Sequence, residues 1–109
     1  MTTHRFRRKR NENDIIKACL TWLHLHGFWA IRINSGAFKT ERGGFYRMSV
    51  PGMSDIVALK NGVCYFIETK MPGKNQNANQ IKFEQDIRRA GGVYFVVHDI
   101  AELEERLNG

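Results

Sequence analysis

The dipeptide Asn61-Gly62 separates two apolar-rich runs, residues 54–60 (SDIVALK) and 63–70 (VCYFIETK). Asn-Gly between such runs is the strongest short-range hairpin signal, because both loop residues must take positive φ and this pair does so at little cost. A two-residue loop also fixes register. Lys60 opposes Val63, and every further pair keeps the residue sum of 123, which sets Asp55 directly opposite Glu68. Cβ atoms of cross-strand neighbours lie ~4.5–5.5 Å apart. Lys70 comes two residues after Glu68 and so points to the same face. The rest of that face is Val57, Leu59, Cys64 and Phe66, all apolar.

Two carboxylates facing each other on an apolar surface destabilise a sheet. They must share a proton, raise a pKa or hold a cation. A hard ion such as Mg²⁺ takes one or two carboxylates and completes its shell with waters and phosphate oxygens. A lysine beside the pair suits stabilisation of an anion or positioning of an attacking water. Each part alone says little: Glu-X-Lys is usually a solvated strand face, and an Asp after Pro-Gly is usually a turn residue. The specificity lies in an Asp that begins one strand, a Glu-Thr-Lys that ends its partner, and a register that joins them. A β-bulge shifting the pairing by one residue would undo it.

The remaining chain reads as one domain over residues 11–109, preceded by a basic, flexible tail at residues 1–10. A helix is predicted from Glu12 to His26, with Asn11 as N-cap and Gly27 as its stop. Its apolar stripe is Ile15, Ile16, Cys19, Leu20 and Leu23, and Glu12 sits at the head of that stripe, an unusual place for an acid. FWAIRI at 28–33 reads as a strand. The polar stretch that follows is too long for a plain connection and accommodates a short hairpin, residues 37–39 against 45–47. A second long helix is predicted over 80–90, with Gln80, Phe83, Glu84 and Ile87 on one face, and Gly91-Gly92 ends it. VYFVVH is a further strand. Asp99 then caps a last helix, with Glu102 completing a capping box. The order α-β-β-β-α-β-α predicts an α/β fold: a mixed sheet with helices on both faces, its last strand parallel to 63–70.

The net charge is +6, and five cations with no acid lie in residues 1–10. Residues 34–77 are also basic, whereas residues 98–109 carry four acids against Arg106. A basic middle with an acidic end suits a polyanion on one face and solvent on the other. The tail cations Arg7, Arg8 and Arg10 read equally well as phosphate contacts or as a solvated charge run. Lys39, Arg42, Arg47 and Lys74 are candidate phosphate contacts for such a polyanion. Phe38, Phe45 and Tyr46 interleave with them, as a local core or as stacking platforms for bases. No apolar run is long enough for a membrane span, and the N-terminus does not resemble a signal peptide. Cys19 and Cys64 read as buried free thiols in a reducing compartment rather than a disulfide, and the histidines have no zinc-ligand spacing with them.

The run PGMSDIVALKNGVCYFIETK resembles the core of the PD-(D/E)xK nuclease superfamily, with its restriction-endonuclease-like fold. It is most similar to the VRR-NUC branch, including small stand-alone members from phages and bacteria. The match runs from Glu12 to Val97 and takes in the segment Arg32–Gly36 (RINSG) and Gln80. The resemblance implies a cytoplasmic DNA endonuclease in a bacterial or phage-infected cell. Asp55, Glu68 and Glu12 would bind Mg²⁺ or Mn²⁺, with the Thr69 main-chain carbonyl as a further ligand and no role for the Thr69 side chain. Lys70 would orient the nucleophilic water or stabilise developing charge, and Gln80 would sit at the site edge. Stand-alone members resemble Holliday-junction resolvases, which implies branched DNA and a homodimer. A monomeric nickase or flap nuclease, or a non-catalytic DNA-binding module, are the alternatives. One departure is visible: Ser54, not proline, precedes Asp55.

Overall fold

Asn61-Gly62 does close a hairpin in the computed structural model, which describes residues 11–33, 37–39, 41, 43, 45–47 and 50–108. Both turn residues have positive φ, +53° and +80°. The strands it joins are β4 (Ile56–Lys60) and β5 (Val63–Thr69). The other elements are α1 (Glu12–Leu25), β1 (Trp29–Arg32), β2 (Ala37–Lys39), β3 (Phe45–Arg47), α2 (Ala78–Arg89), β6 (Val93–Val97) and α3 (Ile100–Asn108). The β4–β5 register follows the turn arithmetic at all five pairs, from Lys60↔Val63 to Ile56↔Ile67.

Four strands form one mixed sheet in the order β1-β4-β5-β6, antiparallel except for the β5–β6 pair. The short hairpin β2–β3 has the expected register, Ala37↔Arg47 to Lys39↔Phe45. Strand alternation splits the large sheet into two faces. Ala30, Ile56, Ala58, Ile67, Phe95 and Val97 face the main core, where Ile15, Ile16, Cys19 and Leu23 of α1 and Leu103 of α3 meet them. The opposite face carries Val57, Phe66 and Tyr94, and α2 covers it through Phe83, whose ring meets Phe66 and Tyr94 edge-on or tilted. Among the described residues, nothing gives the β1–β4 half of this face such cover, and Trp29, Ile31 and Leu59 are 55%, 42% and 40% exposed.

Both long helices begin on an asparagine cap. Asn11 accepts from the Asp14 N–H and Asp14 answers at the Asn11 N–H. Asn77 and Gln80 form the same reciprocal box at α2, which starts two residues earlier than the sequence suggests. Propensity favours a helix over 80–90, but the cap that closes the first turn lies upstream in a polar loop. At α3 the expected box changes partner. Asp99 accepts the Glu102 N–H, whereas the Glu102 carboxylate accepts from the His98 N–H rather than from Asp99. Both cysteines are free. Among the described residues, no helix is long and apolar enough to cross a membrane.

Candidate active site

The end of the hairpin opposite the Asn61-Gly62 turn is where the candidate residues gather. The last β4–β5 rung is Ile56↔Ile67. Asp55 lies one step beyond it, where the chain bends. Its main-chain carbonyl still accepts from the Ile33 N–H at 2.7 Å, holding it to β1. Its carboxylate then takes over the acceptor role that β4 has stopped providing. Oδ2 accepts from the Thr69 N–H at 2.9 Å and from the Thr69 hydroxyl at 2.8 Å. The fully buried Thr69 side chain therefore fixes Asp55, which corrects the expectation that it has no role. Ser54, directly before Asp55, is also fully buried, and its hydroxyl donates to the Ile56 carbonyl at 3.2 Å.

Glu68 is the electrostatic centre of the site. It is only 3% exposed. Oε2 accepts from the Gln80 side-chain amide at 2.9 Å, and the Lys70 ammonium stands 3.9 Å away. Oε1 is buried and makes no hydrogen bond among the described residues. Burial pushes the Glu68 carboxyl up to about 8, and the Asp55 charge pushes the same way. Lys70 opposes that rise, and Glu12 at the head of α1 adds to it. The electrostatics thus connect Glu12 to Glu68 from another element. Among the described residues, however, no three His, Cys, Asp or Glu side chains converge tightly enough to cage a metal by themselves.

Gln80 is tied at both ends of its amide. Its oxygen accepts from the Asn77 N–H, so its nitrogen is the end presented to Glu68. The capping role and the contact with Glu68 are therefore one arrangement. Gly52 completes the packing at this point. It has φ +80°, and a Cβ there would land on the Asn79 carbonyl. The Pro51-Gly52 turn leading to Asp55 thus lies backbone-to-backbone on the first turn of α2. A part-buried network lies on the same side of the sheet as Glu68. The Gln76 amide donates to Glu84 and to the Tyr94 hydroxyl, both at 3.0 Å, and burial raises the Tyr94 phenol to about 12.

An orphaned, buried carboxylate oxygen next to a second carboxylate fits a divalent cation. Such an ion uses one or two carboxylates and leaves its other positions to water, carbonyl or phosphate oxygen. Asp55 and Glu68 have the donor chemistry for it.

A solved structure titled "VRR_NUC domain" superposes on this chain with a TM-score of 0.67, covering 89% of this chain and 94% of that one at 18% identity. The chain has the fold of a VRR_NUC domain. No family model matches the sequence, and no curated protein matches it.

Some expected DNA contacts cannot be situated on this VRR_NUC fold. Arg7, Arg8, Arg10 and Arg42 lie outside the described residues, as do residues 34–36 of the RINSG segment. Lys39 and Arg47 fall on β2 and β3, where the backbone alone is described. Lys74 is exposed in the loop after β5, its N–H bonded to the Met71 carbonyl. Residues that sequence reasoning missed are Thr69 through its hydroxyl, Asn77 through its cap, and Arg32. The Arg32 guanidinium donates to the Asn13 side chain at 2.7 Å and so ties β1 to the first turn of α1. The Asn-X-X-Gln spacing at 77–80 was the available signal for the cap.

Proposed function

We propose that this chain is a Mg²⁺- or Mn²⁺-dependent DNA endonuclease that hydrolyses phosphodiester bonds, selects branched DNA such as Holliday junctions and acts as a homodimer. One observation carries the metal-dependent reading: Glu68 is buried beside Asp55 with an oxygen that has no partner. Asp55 and Glu68 would hold the ion, with the Thr69 carbonyl as a further ligand and Glu12 contributing charge from α1. The chemistry an ion supplies there is polarisation of a phosphoryl oxygen and acidification of a water.

The chain's own groups divide the remaining work. Thr69 keeps Asp55 turned toward the strand end. Gln80 orients Glu68 by donating to Oε2. Lys70, 14% exposed, offers its ammonium where negative charge develops during in-line attack. Lys74 and the basic residues Lys39, Arg42, Arg47, Arg7, Arg8 and Arg10 would contact phosphates, which positions DNA without reading its sequence. Selection of branched DNA rests on the resemblance to stand-alone VRR-NUC proteins. The homodimer gains support from the open apolar rungs Trp29↔Leu59 and Ile31↔Val57 beside the β1 edge. Two free thiols suit a reducing cytoplasm.

The test is cleavage of duplex, flap and four-way-junction DNA with Mg²⁺ or Mn²⁺ by the parent, Asp55→Ala and Lys70→Ala proteins, with sedimentation of the junction complex. Cutting of junctions by a dimer, lost in both variants, is the expected result. Flap cutting by a monomer would replace the resolvase reading. DNA binding with no cleavage by the parent would reduce the chain to a binding module.

A further inference from the structure

We propose that the cavity between the Val50-Pro51 turn and α2 is a subsite for one unpaired nucleobase, next to the scissile phosphate; this rests on the nuclease reading above. The cavity has a volume of about 340 Å³ and is lined by Val50, Pro51, Asn79, Lys82, Phe83 and Asp86. That is room for a single base and its waters, and far too little for a base pair with its backbone.

The position ties the cavity to the chemistry. Asn79 in its wall immediately precedes Gln80, whose amide donates to Glu68. Pro51 in the opposite wall is joined to Gly52, which lies against the Asn79 backbone. The cavity and Glu68 therefore meet the first turn of α2 at successive residues, Asn79 and Gln80.

The lining matches the two-part chemistry of a base. Val50, Pro51 and Phe83 give apolar surface for its faces, and the Asn79 side chain has both donor and acceptor capacity for its edge. The charges beside the cavity suit an anionic strand. Within the lining, Lys82 and Asp86 balance each other, paired at 3.2 Å. Arg89, on the same helix but outside the lining, also reaches Asp86 at 3.6 Å, so this stretch of α2 carries two cations to one acid. A phosphate that follows the base along α2 is attracted there. Unpaired nucleotides are what a flap, or a branch point whose central pairs have opened, supplies, so the subsite would add structure selectivity without base identity.

The experiment measures binding of a fluorescent single strand of about 12 nucleotides to the full chain, with Ca²⁺ in place of Mg²⁺ to slow hydrolysis. A set of strands carries one abasic position each. At one position, removing the base is expected to weaken binding about tenfold, the scale of one stacked base. Val50→Asp puts a charge in the apolar wall at a residue 55% exposed, so folding is not at stake. It should abolish that discrimination, and Val50→Ile should retain it. A strand that binds the parent but tolerates every abasic position, or a Val50→Asp protein that still discriminates, overturns the subsite and leaves the nuclease reading intact. A parent that neither binds the strand nor cuts DNA overturns both.

Discussion

Gln80 reaches Glu68 with its amide nitrogen because its amide oxygen is already committed to the Asn77 N–H. The two bonds, each 2.9 Å long, make the start of a helix and the orientation of a buried carboxylate depend on the same side chain. Gln80→Ala should therefore cost twice. Loss of half the capping box is worth about 1 kcal/mol of stability, and loss of a donor to a buried carboxylate adds about 1–3 kcal/mol. Gln80→Glu keeps the box but sets a carboxylate against Glu68. Urea melts of the metal-free proteins should rank the parent highest, and Mg²⁺ should recover more of the deficit in Gln80→Glu than in Gln80→Ala.

The pH dependence of stability has a definite sign. Burial pushes the Glu68 carboxyl up to about 8, from an ordinary value of 4.5. Between those values the folded protein binds more protons than the unfolded chain, so stability falls as pH rises through that window. The full span corresponds to at most about 5 kcal/mol. Glu68→Gln removes this dependence. In EDTA the variant should gain on the parent between pH 5 and pH 8, and Mg²⁺ should stabilise the parent alone at pH 8. Denaturant titrations at the two pH values read this directly; equal slopes for both proteins would contradict the assignment.

Thr69 tests whether Asp55 needs its second donor. Thr69→Val keeps the shape and the N–H bond but deletes the hydroxyl, at a cost of about 1 kcal/mol. Cleavage should fall about tenfold or more as the carboxylate loses its fixed orientation. Thr69→Ser should hold most of the parent rate. Calorimetric titration with Mn²⁺ separates weakened metal binding from slowed chemistry.

Gly52 has both a left-handed backbone and no room for a side chain. Gly52→Ala should lower stability by about 1–3 kcal/mol. Its effect should concentrate in the first turn of α2, so amide exchange of Gln80 and Ile81 should speed up more than that of β6. Uniform acceleration across the sheet would mean global loosening instead.

The legible parts of this protein were those governed by local rules. Turn chemistry at Asn61-Gly62 set the β4–β5 register, and helix periodicity sorted α1 onto the core. The site was legible as far as that register carried it, up to Ile56↔Ile67. Beyond the last rung, local rules stopped applying. Asp55 sits in a bend where its carboxylate bonds to a threonine fourteen residues away, and no spacing rule anticipates a hydroxyl used that way. Asn77 is marked as a cap only by the Asn-X-X-Gln spacing, because a cap in a polar loop otherwise looks like any other loop residue. The Gly52 contact joins backbones that are distant in sequence, which only the assembled fold displays.

The carboxylates lie at the open end of a hairpin whose other end is tied by a turn. Strand ends open at lower free energy than the molecule as a whole. Heating should therefore part Asp55 from Thr69 while β5 and β6 still hold together, so the temperature at which cleavage fails should lie below the melting temperature. The working range would then be set by fraying at one end of a ladder, and substitutions that only deepen the core would raise the melting point without extending it.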